Sequence, residues 1–343
     1  MIIPKKSWLC ALSLIGAIIM LFYSCTKEEK ATVKTSEVVD IRHTTASSGG
    51  EVTKDGGAAI TSRGVVWSTL QNPTIESNQG KTNDGSGTGK YTSVISGLNA
   101  ETTYYLRAYA INSAGTSYGN QQEFSTFADD VVFDIDGNHY QTIVIGSQTW
   151  FAENLKTTKY NDGTPIPNVM EVSEWTNLTT GAYVWVVDQN FQQYIVYGVL
   201  YNGYAVDSKK LCPTGWHVPS DAEWSQLINY IDPNSNPNSA PESTTAGGKL
   251  KSTRTEPDFH PRWKSPNEGA SDHYGFSALP GGYRSPAPGF PDYIGFGFFC
   301  YFWSAAPSEN FTPFIRKITQ SKASISRSSG NRKSGFSVRC IKD

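Results

Sequence analysis

The segment Leu211-Cys-Pro-Thr-Gly-Trp-His-Val-Pro-Ser-Asp-Ala-Glu-Trp224, answered more than a hundred residues later by Phe336-Ser-Val-Arg-Cys340, constrains this chain more than any other feature. Ser220 and Glu223 stand at capping-box spacing, the serine oxygen taking an orphan backbone N–H and the glutamate reaching back to the cap residue. Trp224, Leu227, Ile228 and Ile231 then recur at helical spacing, and Asp232-Pro233 ends the run. That is one short amphipathic helix, whose apolar face must pack on a sheet. The rest of the sequence points to β-structure: aromatics make up 13% and charged residues only 17%, so the core is built from rings and turns. Seven of the nine tryptophans lie beyond residue 129, most beside Gly or Pro, which marks that region as loop-rich. The opening segment carries no nucleophile–base pair and no metal-ligand cluster.

At the N-terminus Lys5 and Lys6 precede an apolar run from Trp8 to Phe22, then Ser24 and Cys25, before the chain turns polar at Thr26-Lys-Glu-Glu-Lys30. This is a secretory signal over 1–24. A small residue before a cysteine at its end resembles the bacterial lipoprotein box, which implies lipid on Cys25 and a flexible tether over 25–36. Phe22 and Tyr23 depart from the smaller or aliphatic residues usual there. An uncleaved anchor helix and an ordinary cleaved signal are the alternatives. Lys27-Glu28-Glu29 resembles the surface-export signal of Bacteroidota lipoproteins, which implies a lipid-anchored outer-membrane protein facing outward. Of five cysteines, Cys212, Cys300 and Cys340 then remain in an oxidising compartment, one more than a disulfide needs. Without Lys5 and Lys6, 27 basic residues face 31 acidic ones, a net charge of −4 with no block of like charge, so nothing marks a nucleic-acid partner.

Residues 37–127 read as short alternating strands, among them Ile60-Thr-Ser-Arg-Gly-Val-Val-Trp67 and Tyr104-Tyr-Leu-Arg-Ala-Tyr-Ala-Ile111, separated by Gly-rich turns. Leu98, Thr102 and Tyr104, followed by Arg107, Ala110, Asn112 and Gly115, resemble strands E to G of a fibronectin type III sandwich. The resemblance implies that Tyr104 is the corner tyrosine; Ala100 replaces the usual proline. Beyond the linker, Asp134, Asp136 and Asn138 have the spacing of a calcium loop, but His139 and Ile145 stand where an EF-hand requires Gly and Glu. A tight Asp-Gly hairpin is expected instead.

From 133 to 343 the motifs Trp150-Phe-Ala-Glu-Asn-Leu155, Tyr197-Gly-Val-Leu-Tyr-Asn202, Cys212-Pro-Thr-Gly-Trp-His-Val-Pro-Ser220, Ala246-Gly-Gly-Lys-Leu250, Leu279-Pro-Gly-Gly-Tyr-Arg284, Phe302-Trp-Ser304 and Gly335-Phe-Ser-Val-Arg-Cys340 occur in order. Together they resemble the Fibrobacter succinogenes major paralogous domain, whose helix and aromatic loops are similar to the C-type lectin and formylglycine-generating fold. The expected architecture is therefore mainly β: a fibronectin type III-like β-sandwich, then a loop-rich α+β domain, C-type lectin-like, with one short capped helix. A Cys212–Cys340 disulfide is expected to tie the approach to that helix to the last strand. Cys300, an addition to the family pattern, is read as a buried small hydrophobe, with competition for the disulfide as the alternative.

Three kinds of function are compatible with this pattern. As a binding or adhesion module for an extracellular glycan or protein, the domain would use Trp263, Tyr274, Tyr283, Arg284, Tyr301 and Arg316, since rings stack on apolar sugar faces and arginines fix orientation. A diversified loop surface is a variant of this. As an envelope spacer it would need only the sandwich and the anchor. As an enzyme it would rely on His217 with Glu223 or His273 with Asp272, but a Gly-x-Ser-x-Gly elbow is missing and Cys212 and Cys340 look structural. Binding is the expectation, with no cofactor and no metal.

Overall fold

The structure, a computed structural model, describes residues 27–186, 195–255, 261–287, 293–306 and 312–343. The signal sequence and Cys25 lie outside them. The chain divides into two compact units, one ending at Thr126 and the other comprising Phe127–Asp343 with residues 99–101.

The first unit is a β-sandwich of β1 (Thr32–Thr35), β2 (Thr45–Lys54), β3 (Ser62–Ser68), β4 (Gly80–Lys81), β5 (Gly89–Ser96), β6 (Thr103–Asn112), β7 (Gly115–Tyr118) and β8 (Gln122–Ser125). One sheet has the order β1-β2-β5 and the other β4-β3-β6-β7, with β8 on β6 as well. The stretch from Leu98 to Gly115 that carries the resemblance covers β6 and the turn into β7, and the fibronectin type III-like sandwich is as expected. Alternation along β6 turns Tyr104, Leu106, Ala108 and Ala110 inward against Val65, Trp67 and Ile95. The Tyr104 ring stacks on Phe124 at 5.7 Å. Glycine is required at Gly50, where a Cβ would stand 2.7 Å from the Ala108 Cβ. The sandwich begins before the expected residue 37, within the stretch read as tether. Val33 is buried opposite Val52 and the Glu29 amide donates to the Gly56 carbonyl at 2.8 Å. One apolar residue among threonines is too short a pattern to read as a strand, yet β2 supplies a ladder for it.

The second unit contains, in chain order, β9 (Val131–Phe133), β10 (His139–Ile145), β11 (Gln148–Phe151), α1 (Val172–Trp175), β12 (Tyr183–Trp185), β13 (Val199–Asn202), α2 (Gly203–Asp207), β14 (Trp216–His217), α3 (Asp221–Ile231), α4 (Ala246–Leu250), β15 (Tyr283–Arg284), β16 (Tyr293–Ile294), β17 (Phe299–Trp303), β18 (Phe314–Thr319), β19 (Ile325–Ser329), β20 (Gly335–Phe336) and β21 (Ile341–Lys342). Its sheets run β14-β21-β11-β10-β9, β12-β13-β20-β15-β16 and β17-β18-β19. Only α3 is long, at 11 residues; the other α-helices are single turns that no apolar period announces. Its capping box forms, with Ser220 N donating to Glu223 Oε2 at 2.7 Å, and Trp224, Leu227, Ile228 and Ile231 are buried. Cys212 and Cys340 are joined, closing 128 residues, and Cys300 is free and buried. Burial raises the Cys300 thiol far above its ordinary range, so it stays protonated and inert.

The Asp-Gly hairpin between β9 and β10 also forms as expected. Asp134 accepts from the Asp136 and Asn138 amides, the Asn138 side chain and the Tyr140 hydroxyl, at 2.6–3.0 Å. Asp136 accepts from the Thr158 amide and hydroxyl and pairs with Lys159 at 3.0 Å. Both carboxylates serve the protein's own donors. Among the described residues no group of three His, Cys, Asp or Glu side chains is arranged to hold a metal, and no helix is long and apolar enough to cross a membrane.

Candidate functional site

Three of the six residues expected to meet a ligand are core instead. Trp263 is fully buried and donates its indole N–H to the Ala278 carbonyl at 2.9 Å. Arg284 donates to the Met170 carbonyl at 2.6 Å and lies 5.5 Å from the Trp175 ring. Arg316 is fully buried in ion pairs with Glu242 at 2.7 Å and Asp221 at 2.8 Å. Loops that lack a ladder leave buried carbonyls in need of donors, and these side chains supply them. Strand parity explains the rest. In β17–β18 Phe302 pairs with Arg316, both inward, whereas Tyr301 pairs with Lys317, both half-buried on the other face. Tyr274 is half-buried apart from this sheet, between His273 at 4.8 Å and Tyr230 at 6.2 Å.

Tyr283 and Tyr301 are brought together, edge to face with centroids 5.0 Å apart. Tyr301 also stacks on Phe336 at 5.0 Å and meets Phe299 at 6.2 Å. The Lys317 ammonium stands 4.7 Å from the Phe299 ring and 5.4 Å from that of Tyr301. Burial, then the neighbouring Cys300, raises the Tyr301 phenol to about 12; burial, then Tyr301, raises Tyr283. Both phenols therefore stay neutral across physiological pH and both donate and accept hydrogen bonds. No carboxylate among the described residues pairs with Lys317. The result is a partly exposed aromatic shelf with a cation beside it. Phe299 and Lys317 were missed in the sequence, although the alternation through Phe299-Cys-Tyr-Phe-Trp303 sets Phe299 and Tyr301 on one face.

The histidine reading resolves differently. His217 holds Asp343 Oδ1 at Nδ1, 2.6 Å away, and Glu223 Oε1 at Nε2, 2.9 Å away. Partial burial opposes its charge, but the hydrogen bonds to Asp343 and Glu223 outweigh this and raise its pKa. With both nitrogens committed to carboxylates, the imidazolium clamps the helix cap to the chain end. Asp272 accepts from the amide and hydroxyl of Ser277, which leaves His273 to pack against Tyr274.

The Fibrobacter succinogenes major domain family model matches residues 143–342, more than half of the chain. A search of curated proteins finds no significant relative. Among solved structures, the sensor domain of the anti-sigma factor RsgI4 of Pseudobacteroides cellulosolvens is similar at 19% identity, over 29% of this chain and 97% of that one, with a TM-score of 0.23. A human fourth fibronectin type III domain is similar at 21% identity, over 34% of this chain and 93% of its own, with a TM-score of 0.24. The sixth such domain of human fibronectin type III domain containing protein 3 is 21% identical over 29% of this chain and 90% of its own, with a TM-score of 0.23. By the match over residues 143–342, together with the Cys212–Cys340 bridge and the capped helix found there, the chain belongs to the Fibrobacter succinogenes major domain family.

Proposed function

We propose that this protein is a lectin-like binding module of the bacterial surface, held in the outer membrane by lipid on Cys25, with the β-sandwich as spacer and the C-terminal domain as the part that meets an extracellular acidic glycan. The observation that carries the reading is the Tyr283, Phe299, Tyr301 and Lys317 shelf. Partly exposed rings stack on the apolar faces of sugars, and an ammonium without a carboxylate partner among the described residues is available to a uronate or sulfate group. An enzyme reading gains nothing from His217, whose nitrogens are both taken up by carboxylates.

The test is binding of the full chain, in detergent, to immobilised polygalacturonate, alginate and chondroitin sulfate. Tyr283→Ala combined with Lys317→Ala should weaken binding by at least about tenfold in protein that remains folded, since a stacked ring and a charge contact each contribute about 1 kcal/mol or more. Undiminished binding in the folded double variant, or retention only of a protein partner, would move recognition elsewhere. Incorporation of labelled fatty acid that is lost in Cys25→Ala tests the anchor.

A further inference from the structure

A concave surface elsewhere in the C-terminal domain differs in chemistry from the shelf. It is an open cleft of about 800 Å³ lined by Tyr160, Asp162, Tyr204, Asp207, Lys210 and Arg332, with threonine and serine hydroxyls between them. That volume is within the ~300–1,000 Å³ of small-molecule sites. Its charges are already matched: Lys210 pairs with Asp162 at 2.8 Å and Arg332 with Asp207 at 2.6 Å. Two carboxylates and two cations leave the lining with no net charge. An ionic ligand would have to compete with one of these pairs. A ligand rich in hydroxyls need break neither pair, because each hydroxyl can donate to a carboxylate and accept from the neighbouring cation.

The frame of the cleft is fixed from below by one side chain. Asn202, fully buried, accepts from the Ala182 and Ala205 amides and donates to the Thr180 carbonyl, so the 180–182 wall and the start of α2 are tied together. Two glycines set the close approaches. A Cβ on Gly181 would stand 2.0 Å from the Tyr160 hydroxyl, and one on Gly203 would stand 2.8 Å from Arg332 Cα. The backbone that carries the 180–182 wall and the start of α2 is thereby fixed before any ligand arrives, as a preformed site requires.

We infer that this cleft binds a neutral oligosaccharide, with Tyr160 and Tyr204 as ring walls and the two ion pairs as its hydroxyl-binding groups. The test is calorimetric titration of the full chain, in detergent, with cellotetraose, xylotetraose, maltotetraose and mannotetraose, and with tetragalacturonate as the charged counterpart. At least one neutral sugar should bind. Tyr204→Ala should weaken it by at least about tenfold, the loss expected of a buried aromatic contact, and polygalacturonate, the probe of the shelf, should not displace it. Should Tyr204→Ala fold poorly, Thr180→Trp, which fills the cleft from its exposed rim, should abolish binding without unfolding. The inference is overturned if none of the four neutral sugars binds at about 10 mM, the weakest range such a site would show. It is equally overturned if binding survives Tyr204→Ala or Thr180→Trp in folded protein, if tetragalacturonate binds more tightly than every neutral sugar, or if polygalacturonate displaces the sugar.

Discussion

The two domains of this chain solve the same problem in different ways. In the sandwich, backbone polar groups are satisfied by strand ladders such as the seven registered pairs of β3 with β6, so the core between the sheets is left to side chains such as Val65, Trp67, Ile95, Leu106 and Phe124 that need only pack. The C-terminal domain has short strands and long loops, and it satisfies its buried carbonyls with side chains. Four tryptophan N–H groups do this, those of Trp175, Trp224, Trp263 and Trp303, donating to Lys333, Trp303, Ala278 and Tyr201. Lys251 donates to the Glu268, Thr319 and Lys322 carbonyls, and Arg339 to those of Phe151, Phe276 and Ser277. Burial lowers Lys251 to about 8 and Arg339 to about 10, but both remain protonated at neutral pH. An irregular domain needs such internal pins. Residues that look like ligand contacts, such as Trp263, Arg284 and Arg316, are therefore pins.

The largest expected effect comes from removing a pin. Arg339→Met leaves three carbonyls and Asn154 Oδ1 without their donor; at ~1–3 kcal/mol for each unsatisfied group, the C-terminal domain should lose most or all of its stability. Calorimetry should show its transition lost while that of the sandwich persists. Leu106→Ala is the reciprocal change, opening a cavity in the sandwich at a cost of ~2–5 kcal/mol, and should lower only the other transition. Reduction of the Cys212–Cys340 disulfide should cost the C-terminal domain ~2–4 kcal/mol and leave the sandwich unmoved. If reduction lowered both transitions together, the two-unit description would fail.

The smallest effect belongs to the His217 clamp. Its pKa is raised on folding, so its contribution is fully present below the unfolded value of ~6.5 and fades as pH rises through the folded value. His217→Ala should therefore lower the melting temperature of the C-terminal domain by a few degrees near pH 5.5 and by less near pH 9. An equal loss at both pH values would mean that the ring acts by packing alone.

Local patterns carried most of the fold. The Asp-Gly hairpin, the α3 capping box and the strands β3 and β6 were legible because each depends on residues close in sequence. The helical turns α1, α2 and α4 were not, being too short for a period to appear. For the site, Tyr283 and Tyr301 were legible as rings, though as loop residues rather than as members of β15 and β17, while Arg316 was read as a ligand contact and Lys317 was passed over. Which of two adjacent cations faces inward depends on the register with β17 and on Glu242, 74 residues away. The cleft was invisible for the same reason, since its walls come from segments around 160, 180, 207 and 332 that only the folded chain assembles.

The central claim is that recognition resides on the pinned C-terminal domain while the laddered sandwich acts as spacer. Amide hydrogen exchange of the full chain, with and without saturating polygalacturonate, tests it most directly. Added protection should appear in peptides covering 281–287, 296–303 and 314–319 and be absent from 32–125. Protection confined to the sandwich, or no change in either domain under conditions where binding is measured, would contradict it.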